Sequence, residues 1–230
     1  MHKLAAFNWS GGKDSTLALH YILLAKEFYI HCLVTTVNEG FKRIAMHGVR
    51  EVLLITQAKC LNLPLHQIRL PEMPDMEVYE TSMNTHFELM KQQGVAYAIF
   101  GDIFLEDLRK YREAQFERLG MTTIFPLWKR ETKDLVLEFI DLGYKTIVVC
   151  AREDLKDFCG RIIDHSFLND LPAGVDPCGE NGEFHTFVFD GPIFSKPIRF
   201  KTGELVFRTF PANEGSNNVS GFWYIDLIPL

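Results

Sequence analysis

The sequence lacks several features that would assign it to a functional class at once. Its five cysteines form no Cys-x-x-Cys pair and no zinc-type spacing, so neither a zinc finger nor a paired redox site is expected. No apolar run reaches about 18 residues and no leader pattern is visible, which predicts a cytoplasmic protein with reduced thiols and no membrane contact. Basic residues are in deficit, since 24 stand against 30 acidic ones, and the net charge of −6 argues against a nucleic-acid partner.

What the sequence does contain is enough apolar material for a sizeable core. Its 230 residues are 47% hydrophobic, which fits one large domain or two small ones. The first apolar run, residues 4–9, predicts a buried strand, and residues 16–25 predict a helix. Between them lies the segment Ser10-Gly11-Gly12-Lys13-Asp14-Ser15. Its two glycines therefore lie at a strand-to-helix turn.

This turn predicts an anion site. Backbone N–H groups and the positive end of a helix dipole converge at such a turn, which suits a phosphate group. The two glycines let phosphate oxygens approach the backbone, while the lysine adds positive charge and the serines add hydroxyl donors. The segment is not a Walker A loop, because Phe7 stands where that loop needs its first glycine and Asp14 where it needs Ser or Thr.

Downstream, predicted strands alternate with predicted helices. The strands cover residues 30–37, 65–70, 95–100 and 145–150, and the helices cover residues 49–61, 76–93, 106–119 and 132–142. The alternation predicts an α/β fold with a parallel sheet and helices on both faces. In such sheets ligands bind outside the carboxyl ends of the strands. The loop at 10–15, the segment 35–39 and Gly101-Asp102-Ile103 all fall at those ends.

The later part of the chain is less regular. We predict a strand over residues 184–189, a hairpin over residues 198–207 with residues 201–204 as its turn, and a last strand over residues 222–228. The change of character predicts a division into residues 1–105, the nucleotide-type domain, and residues 106–230, a smaller α+β substrate-binding subdomain.

A second unusual stretch is Gly174-Val175-Asp176-Pro177-Cys178-Gly179-Glu180-Asn181-Gly182-Glu183-Phe184-His185-Thr186-Phe187. It combines three glycines, a proline and several ionisable side chains, and it then enters a strand. Loops of this kind between regular elements often carry function. A surface turn with solvated acids is the alternative interpretation.

Two motifs together resemble a known family. The segment at 10–15 resembles the PP-loop of the ATP pyrophosphatases, and the whole pattern resembles the diphthine–ammonia ligase family and its bacterial members over about residues 4–195. That family shows a Gly-Glu-Gly-Gly-Glu-Tyr-Glu type motif at its second site. Gly179, Glu180, Gly182 and Glu183 match this motif, and Asn181, Phe184 and His185 depart from it. The resemblance implies a Rossmann-like (HUP-type) parallel sheet with a smaller C-terminal subdomain.

The resemblance also implies a reaction. The family uses ATP to join ammonia to the carboxylate of diphthine, a modified histidine of a translation elongation factor, and releases AMP and pyrophosphate. The altered second motif resembles bacterial members, which have no diphthine, so the carboxylate-bearing substrate, a protein side chain or another acid, is left open. We expect catalysis by Lys13, Glu180, Glu183 and His185, and nucleotide binding by Ser10, Gly11, Gly12, Lys13, Asp14, Ser15, Thr35, Thr36, Val37, Gly101 and Asp102. Asp14 and Asp102 are the candidate ligands of Mg²⁺.

Several alternatives remain at this point. Asp14 could be a first-turn acid that only stabilises its helix. Arg109 and Arg112 share a helix face and could bind phosphate or the substrate carboxylate, or simply be solvated. An RNA-thiolating enzyme with Cys178 as sulfur carrier, and a non-catalytic adenine-nucleotide sensor, are the competing functions. His47 and His165 are interpreted as structural, no glutaminase signature is visible, and a homo-oligomer is left open.

The two motifs are expected to divide the work. The loop at 10–15 should govern nucleotide binding, and the loop at 176–186 should govern the second substrate. Both loops should line one cleft, since an activated acyl group has to meet the nitrogen nucleophile beside the α-phosphate.

Overall fold

The computed structural model describes residues 3–44, 47–211 and 219–230. Its elements in chain order are β1 (Lys3–Asn8), α1 (Lys13–Ala25), β2 (Phe28–Asn38), β3 (Arg43–Ile44), α2 (Glu51–Leu61), β4 (Leu65–Leu70), α3 (Met76–Gln92), β5 (Tyr97–Ile99), α4 (Glu106–Arg118), β6 (Thr122–Ile124), α5 (Thr132–Asp141), β7 (Lys145–Arg152), a 3₁₀ segment (Glu153–Phe158), α6 (His165–Asp170), β8 (Phe184–Asp190), β9 (Phe200–Pro211) and β10 (Val219–Pro229). Most predicted helices and strands are confirmed within two or three residues.

The first sheet is parallel and central. Its parallel strands follow the order β4-β2-β1-β5-β6, and the short β3 pairs antiparallel with the end of β2. One apolar cluster includes Phe7 and Leu33, and a second includes Ala6 and Phe87. Ala6 and Phe7 are neighbours on β1 and point to opposite faces, so both faces of the sheet are buried. The predicted α/β fold with helices on both faces is therefore confirmed.

The second sheet is antiparallel, with the order β8-β7-β10-β9. It contacts the first half of the molecule directly, because the Val188 N–H donates to the Gly11 carbonyl at 2.9 Å. The proposed division at residue 105 stays a prediction. Strand β6, which follows that point in the chain, belongs to the first sheet.

The predicted hairpin over residues 198–207 is wrong. Residues 201–204 lie inside the continuous strand β9, which pairs with β10 along almost its whole length. A Cβ at Gly203 would lie 3.0 Å from Ile228 Cδ1, so this glycine permits close cross-strand packing instead of a turn. The sequence pattern also missed β3, the 3₁₀ segment and α6, all of which are short. In the described ranges no helix has the length and apolar character that crossing a membrane requires.

Candidate functional site

A cavity of about 790 Å³ lies at the carboxyl ends of β1, β2 and β5, where the strand pattern predicted a site. Among the predicted site residues, those that line it are Ser10, Gly12, Lys13, Asp14, Ser15, Thr35, Thr36, Gly101, Asp102, Glu180 and His185. Gly11, Val37 and Glu183 are not part of its wall. Both unusual loops therefore line one cavity, as expected.

The turn between β1 and α1 is stabilised by hydrogen bonds within the turn and by contacts with α2. The Ser10 and Ser15 hydroxyls lie 3.0 Å apart, and the Gly12 N–H donates to Ser10 Oγ at 3.2 Å. Gly11 has a φ of +80°, and a Cβ there would lie 2.6 Å from Gln57 Oε1. Gly11 is thus needed for the backbone conformation of the loop, not as part of the cavity wall.

Gln57 of α2 contacts this turn and was not singled out by its sequence context. Its side chain is fully buried, and its Nε2 donates to the Gly11 carbonyl at 2.9 Å and to the Val188 carbonyl at 2.6 Å. Its Oε1 accepts from Trp9 Nε1 at 3.0 Å. One amide thereby joins the loop, α2 and β8. A lone glutamine on an otherwise apolar helix face is the only sequence signal that could have indicated this.

Lys13 is 3% exposed and lies between the two loops. Its Nζ contacts Asp14 Oδ1 at 2.8 Å and Oδ2 at 2.7 Å, and it also donates to the Cys178 carbonyl. Burial acts against the charged ammonium, but the Asp14 carboxylate, and secondarily Glu180, outweigh this effect and raise the pKa of Lys13. The lysine is therefore a permanent cation in the wall of the cavity.

Strand β8 reaches the loop through Thr186. The Lys13 N–H, at the start of α1, donates to Thr186 Oγ1 at 3.0 Å. The second half of the chain therefore fixes the amino end of α1. Spacing in the sequence cannot show this contact, because the two residues are 173 positions apart.

Gly101 and Asp102 follow β5 and close another side of the cavity. A Cβ at Gly101 would lie 2.9 Å from Ser15 N, so the close approach of this loop to α1 requires glycine. Asp102 Oδ2 pairs with Arg112 Nε at 2.7 Å. Burial, and secondarily Asp14, raise the pKa of Asp102, while Arg112 acts in the opposite direction. Arg112 lines the cavity, whereas Arg109 instead packs against Trp128 and pairs with Glu113 at 2.7 Å.

The end of β2 forms a further part of the wall. Thr35 is 4% exposed, and its Oγ1 has no hydrogen-bond partner among the described residues. Thr36 lines the cavity beside it. Val37 is fully buried in the apolar core. A buried hydroxyl without a partner at the cavity wall suits a polar ligand.

The second loop is organised around Asp176. Its Oδ1 accepts from the Cys178 N–H at 2.9 Å and from the Glu180 N–H at 3.1 Å, and its Oδ2 accepts from Thr132 Oγ1 at 2.6 Å. Glu183 is 2% exposed, and its Oε1 accepts from the Asp176 N–H at 3.1 Å. The Glu183 carboxylate therefore contacts the backbone of its own loop and does not face the cavity.

Glu180 is the carboxylate of this loop that faces the cavity. Its Oε1 accepts from the Ile103 N–H at 2.8 Å, which links the second loop to the loop after β5. Burial, followed by repulsion from Asp14, raises the pKa of Glu180 to about 7. A carboxyl group with this pKa can accept and release a proton near neutral pH.

The Cys178 thiol is a poor nucleophile. It is 3% exposed and lies 3.3 Å from the Thr132 carbonyl, to which it donates. Burial raises the pKa of this thiol well above its usual range, in spite of the nearby Lys13. The thiolate needed for sulfur transfer is therefore disfavoured.

Two histidines lie together in the wall. The rings of His185 and His47 have centroids 4.7 Å apart, and both rings line the cavity. His47 follows β3 and was interpreted as structural. His165 is exposed and is not part of the cavity wall.

A divalent cation has no preformed cage here. Within residues 3–44, 47–211 and 219–230, no group of three His, Cys, Asp or Glu side chains has metal-binding geometry. Each predicted Mg²⁺ ligand already faces a cation, Asp14 facing Lys13 and Asp102 facing Arg112. Both carboxylates do line the same cavity, which fits a metal ion that arrives bound to phosphate oxygens.

The fold and the loop together define a Rossmann-like α/β protein with a PP-loop type of strand–loop–helix site. Residues 2–123 match the model of the diphthamide synthase N-terminal domain, and residues 131–216 match that of the C-terminal domain. The chain belongs to the diphthamide synthase family.

Among curated proteins the chain is similar to the diphthine–ammonia ligases. It is 27% identical to the one from Homo sapiens over 172 residues, which is 67% of this chain and 64% of that protein. It is 30% identical to the Bos taurus protein, over 52% of this chain and 48% of that protein. The Schizosaccharomyces pombe protein is 28% identical over 86% of this chain and 36% of its own length. The chain thus spans between about a third and two thirds of the length of these relatives.

Proposed function

We propose that this chain is an ATP-dependent amide ligase that adenylates a carboxylate and passes the acyl group to ammonia. The observation that carries the proposal is that the loop at 10–15 and Glu180 face one cavity, and that Lys13 of the first loop donates to the Cys178 carbonyl of the second. The groups expected to bind phosphate and the group expected to transfer a proton can therefore contact the same bound substrates. The curated relatives, all named diphthine–ammonia ligase, support the same reaction class.

The first step forms the acyl-adenylate. A carboxylate oxygen attacks the α-phosphorus of ATP, the bond to the β-phosphate oxygen breaks, and pyrophosphate leaves with its electron pair. Lys13, the start of α1 and the hydroxyls of Ser10 and Ser15 would stabilise the growing negative charge. Thr35 and Thr36 would contact the adenine, and Thr35 Oγ1 is free to bond it. Mg²⁺ would neutralise phosphate charge when bound, with Asp14 and Asp102 as its protein ligands.

The second step forms the amide. The nitrogen of ammonia bonds to the acyl carbon, the bond to AMP breaks, and AMP leaves with the electron pair. One proton is released from nitrogen, and Glu180 would accept it, because its pKa of about 7 matches that task. Glu183 would act by holding the loop, through its bond to the Asp176 N–H. Arg112, which pairs with Asp102 in the cavity wall, would bind the substrate carboxylate through its remaining N–H groups.

The identity of the acyl substrate depends on the second loop, where this chain departs from the family motif. The relatives are named for diphthine, whereas His185 stands where the family motif carries an acid. We therefore propose a carboxylate-bearing substrate as the class, with diphthine as one candidate and a different acid as another. The chemistry of ATP cleavage is the same in both cases.

The test is an analysis of products. The protein is incubated with ATP, ammonium chloride and a panel of carboxylates that includes a diphthine-bearing peptide, and nucleotides are separated by chromatography. We expect AMP and pyrophosphate in equal amounts, formed faster when ammonium is present. ADP as the main product would overturn the mechanism. Sulfur transfer to RNA would be the second candidate function, but the buried thiol of Cys178 disfavours it.

A further inference from the structure

We propose that His47 and His185 together form the binding site for the nitrogen nucleophile, ammonia. This inference rests on the proposed function and adds a ligand site that includes His47. It is carried by the position of two adjacent imidazoles in the wall of the cavity. Their ring centroids are 4.7 Å apart with an angle of 31° between the ring planes.

The hydrogen bond of His47 decides which of its nitrogens faces a ligand. His47 Nδ1 lies 3.1 Å from the Thr186 carbonyl oxygen. A carbonyl oxygen only accepts, so Nδ1 carries the hydrogen, and in the neutral ring Nε2 is left as an acceptor. Ammonia is a small molecule with three N–H donors, and an imidazole Nε2 is a suitable acceptor for one of them.

His185 offers a second polar group beside the first. It lies on β8 next to Thr186, the residue that accepts from the Lys13 N–H. Within the described ranges neither nitrogen of the His185 ring makes a hydrogen bond, although the ring lines the cavity. A ring nitrogen of His185 is therefore available to a ligand that His47 also contacts.

The pair lies close to the phosphate-type loop. A Cβ built on Gly12 would lie 3.1 Å from Cε1 of His47, so this ring covers the glycine of the loop. An ammonia molecule bound there would lie on the side of the cavity where the α-phosphate and the acyl carbon are expected. Glu180, the proposed proton acceptor, lines the same cavity and is held there by the Ile103 N–H of the loop after β5.

Both imidazole rings are uncharged at neutral pH, which suits a neutral ligand. Burial, with the positive charge of Lys13 as a smaller contribution, lowers the pKa of His47 to about 4. Burial, followed by His47 and Lys13, lowers the pKa of His185 to about 3. Both rings are uncharged at neutral pH, so they leave the anionic phosphates to Lys13 and still accept hydrogen bonds from ammonia. A metal ion is not the better occupant, because no third His, Cys, Asp or Glu of the described residues completes a site.

The test is direct and needs no acyl substrate. The protein, labelled with ¹⁵N in its histidine rings and freed of metal by chelation, is titrated at pH 8.5 with ammonium chloride or potassium chloride. Potassium has the same charge and a similar size but cannot donate a hydrogen bond. We expect saturable shifts of the His47 and His185 ring nitrogens with ammonium, none with potassium, and none at the exposed ring of His165. Equal responses to the two salts would overturn the proposal.

Two variants separate binding from structure. In His47→Asn the side-chain amide replaces Nδ1 and can still donate to the Thr186 carbonyl, but Nε2 is lost. We expect at least a tenfold loss of ammonium affinity in this variant, while ATP affinity measured by calorimetry stays unchanged. Full ammonium affinity in a folded His47→Asn protein would show that His47 is structural. His185→Gln serves as the second variant, and His165→Gln is the matched control.

The outcome is separable from that of the proposed function. If AMP and pyrophosphate are formed with ammonium as co-substrate, yet the His47 and His185 rings do not respond to it, the ligase assignment stands and this site is wrong. If the rings respond but no carboxylate supports pyrophosphate release, the ligase assignment is wrong.

Discussion

The two loops of this cavity differ in how their structure arises. The turn of the loop at 10–15 is formed by adjacent residues between β1 and α1, with Gly11 at a φ of +80° and the Gly12 N–H bonded to Ser10 Oγ. Gln57 and Val188 then hold this turn in place through the Gly11 carbonyl. The loop at 176–186 depends on partners far away in the chain, since Asp176 contacts Thr132, and Glu180 contacts Ile103. The comparison shows that a motif can be recognised from its residues when its geometry is local. A motif whose shape depends on distant contacts can still be recognised in the sequence, but the role of each of its residues cannot be assigned from the sequence.

The division of labour between the two loops stays a prediction, but the structure shows that the loops also contact each other. The sequence predicts that the second loop acts on the second substrate. In the structure the Cys178 carbonyl accepts from Lys13 Nζ, and Thr186 Oγ1 accepts from the Lys13 N–H. The second loop and the start of β8 thereby support the same lysine on which nucleotide binding is expected to depend. The predictions below test how far the two loops are separable.

The largest effect is expected at Glu180. Glu180→Gln removes the one group of the second loop that faces the cavity and titrates near neutral pH, so turnover should fall by about 10²–10⁴-fold. ATP affinity should change little, since Gln can still accept from the Ile103 N–H. Pyrophosphate release and calorimetry on the same preparation measure both quantities. Glu117→Gln, on the exposed side of α4, is the control. Unchanged turnover in Glu180→Gln would show that Glu180 has no acid–base role.

Lys13→Ala should affect the first loop most. It leaves Asp14 and the Cys178 carbonyl without their cation, and ATP affinity or turnover should weaken by about 2–5 kcal/mol, as expected when one partner of a buried charge contact is removed. Lys110→Ala, whose side chain is 70% exposed, is the control. If ATP affinity and turnover in Lys13→Ala both equal those of the unmodified protein, the assignment of Lys13 to the nucleotide site is wrong.

Thr186→Val tests the link between the loops. The substitution keeps the shape but leaves the buried Lys13 N–H without its acceptor, at a cost of about 1–3 kcal/mol. We expect ATP affinity to fall even though Thr186 belongs to the second sheet. Thr85→Val on the exposed side of α3 should have no such effect. Normal ATP affinity with reduced turnover would restore the original division of labour.

The pH dependence should follow Glu180. Because burial raises its pKa to about 7, a base at this position is fully available only above that pH, and turnover should increase as the pH rises through about 7. The same shift means that the folded state favours the protonated carboxyl, so this group lowers the free energy of unfolding as the pH rises from about 4.5 to 7. Turnover is measured against pH for the unmodified protein and for Glu180→Gln. The increase in turnover near pH 7 should be absent from the variant.

The smallest effect is expected at Cys178. Serine can also donate to the Thr132 carbonyl, so Cys178→Ser should change turnover by less than about threefold and stability by about 1 kcal/mol. Cys60→Ser, buried on α2 away from the cavity, is the control for stability. A complete loss of turnover at Cys178 alone would revive the sulfur-transfer alternative.

Much of the fold could be read from short-range patterns. The buried strands β1, β2 and β4 and the helices between them follow runs and periodic patterns of apolar residues, which act over a few residues. The predicted hairpin at 198–207 failed because Gly203 resembles a turn residue, although its missing side chain makes room for Ile228 across the sheet. Cross-strand pairing is a long-range property, so local signals could not distinguish these cases.

The sequence by itself determined the loop at 10–15, its place between a strand and a helix, and the set of ionisable groups in the second loop. Only the tertiary structure decided that Glu180 faces the cavity while Glu183 faces its own backbone, that Gln57 joins three elements, and that His47 lies against His185. The physical reason is that backbone conformation and charge are properties of neighbouring residues. Burial, hydrogen-bond partners and the resulting pKa values depend on which distant segments pack together.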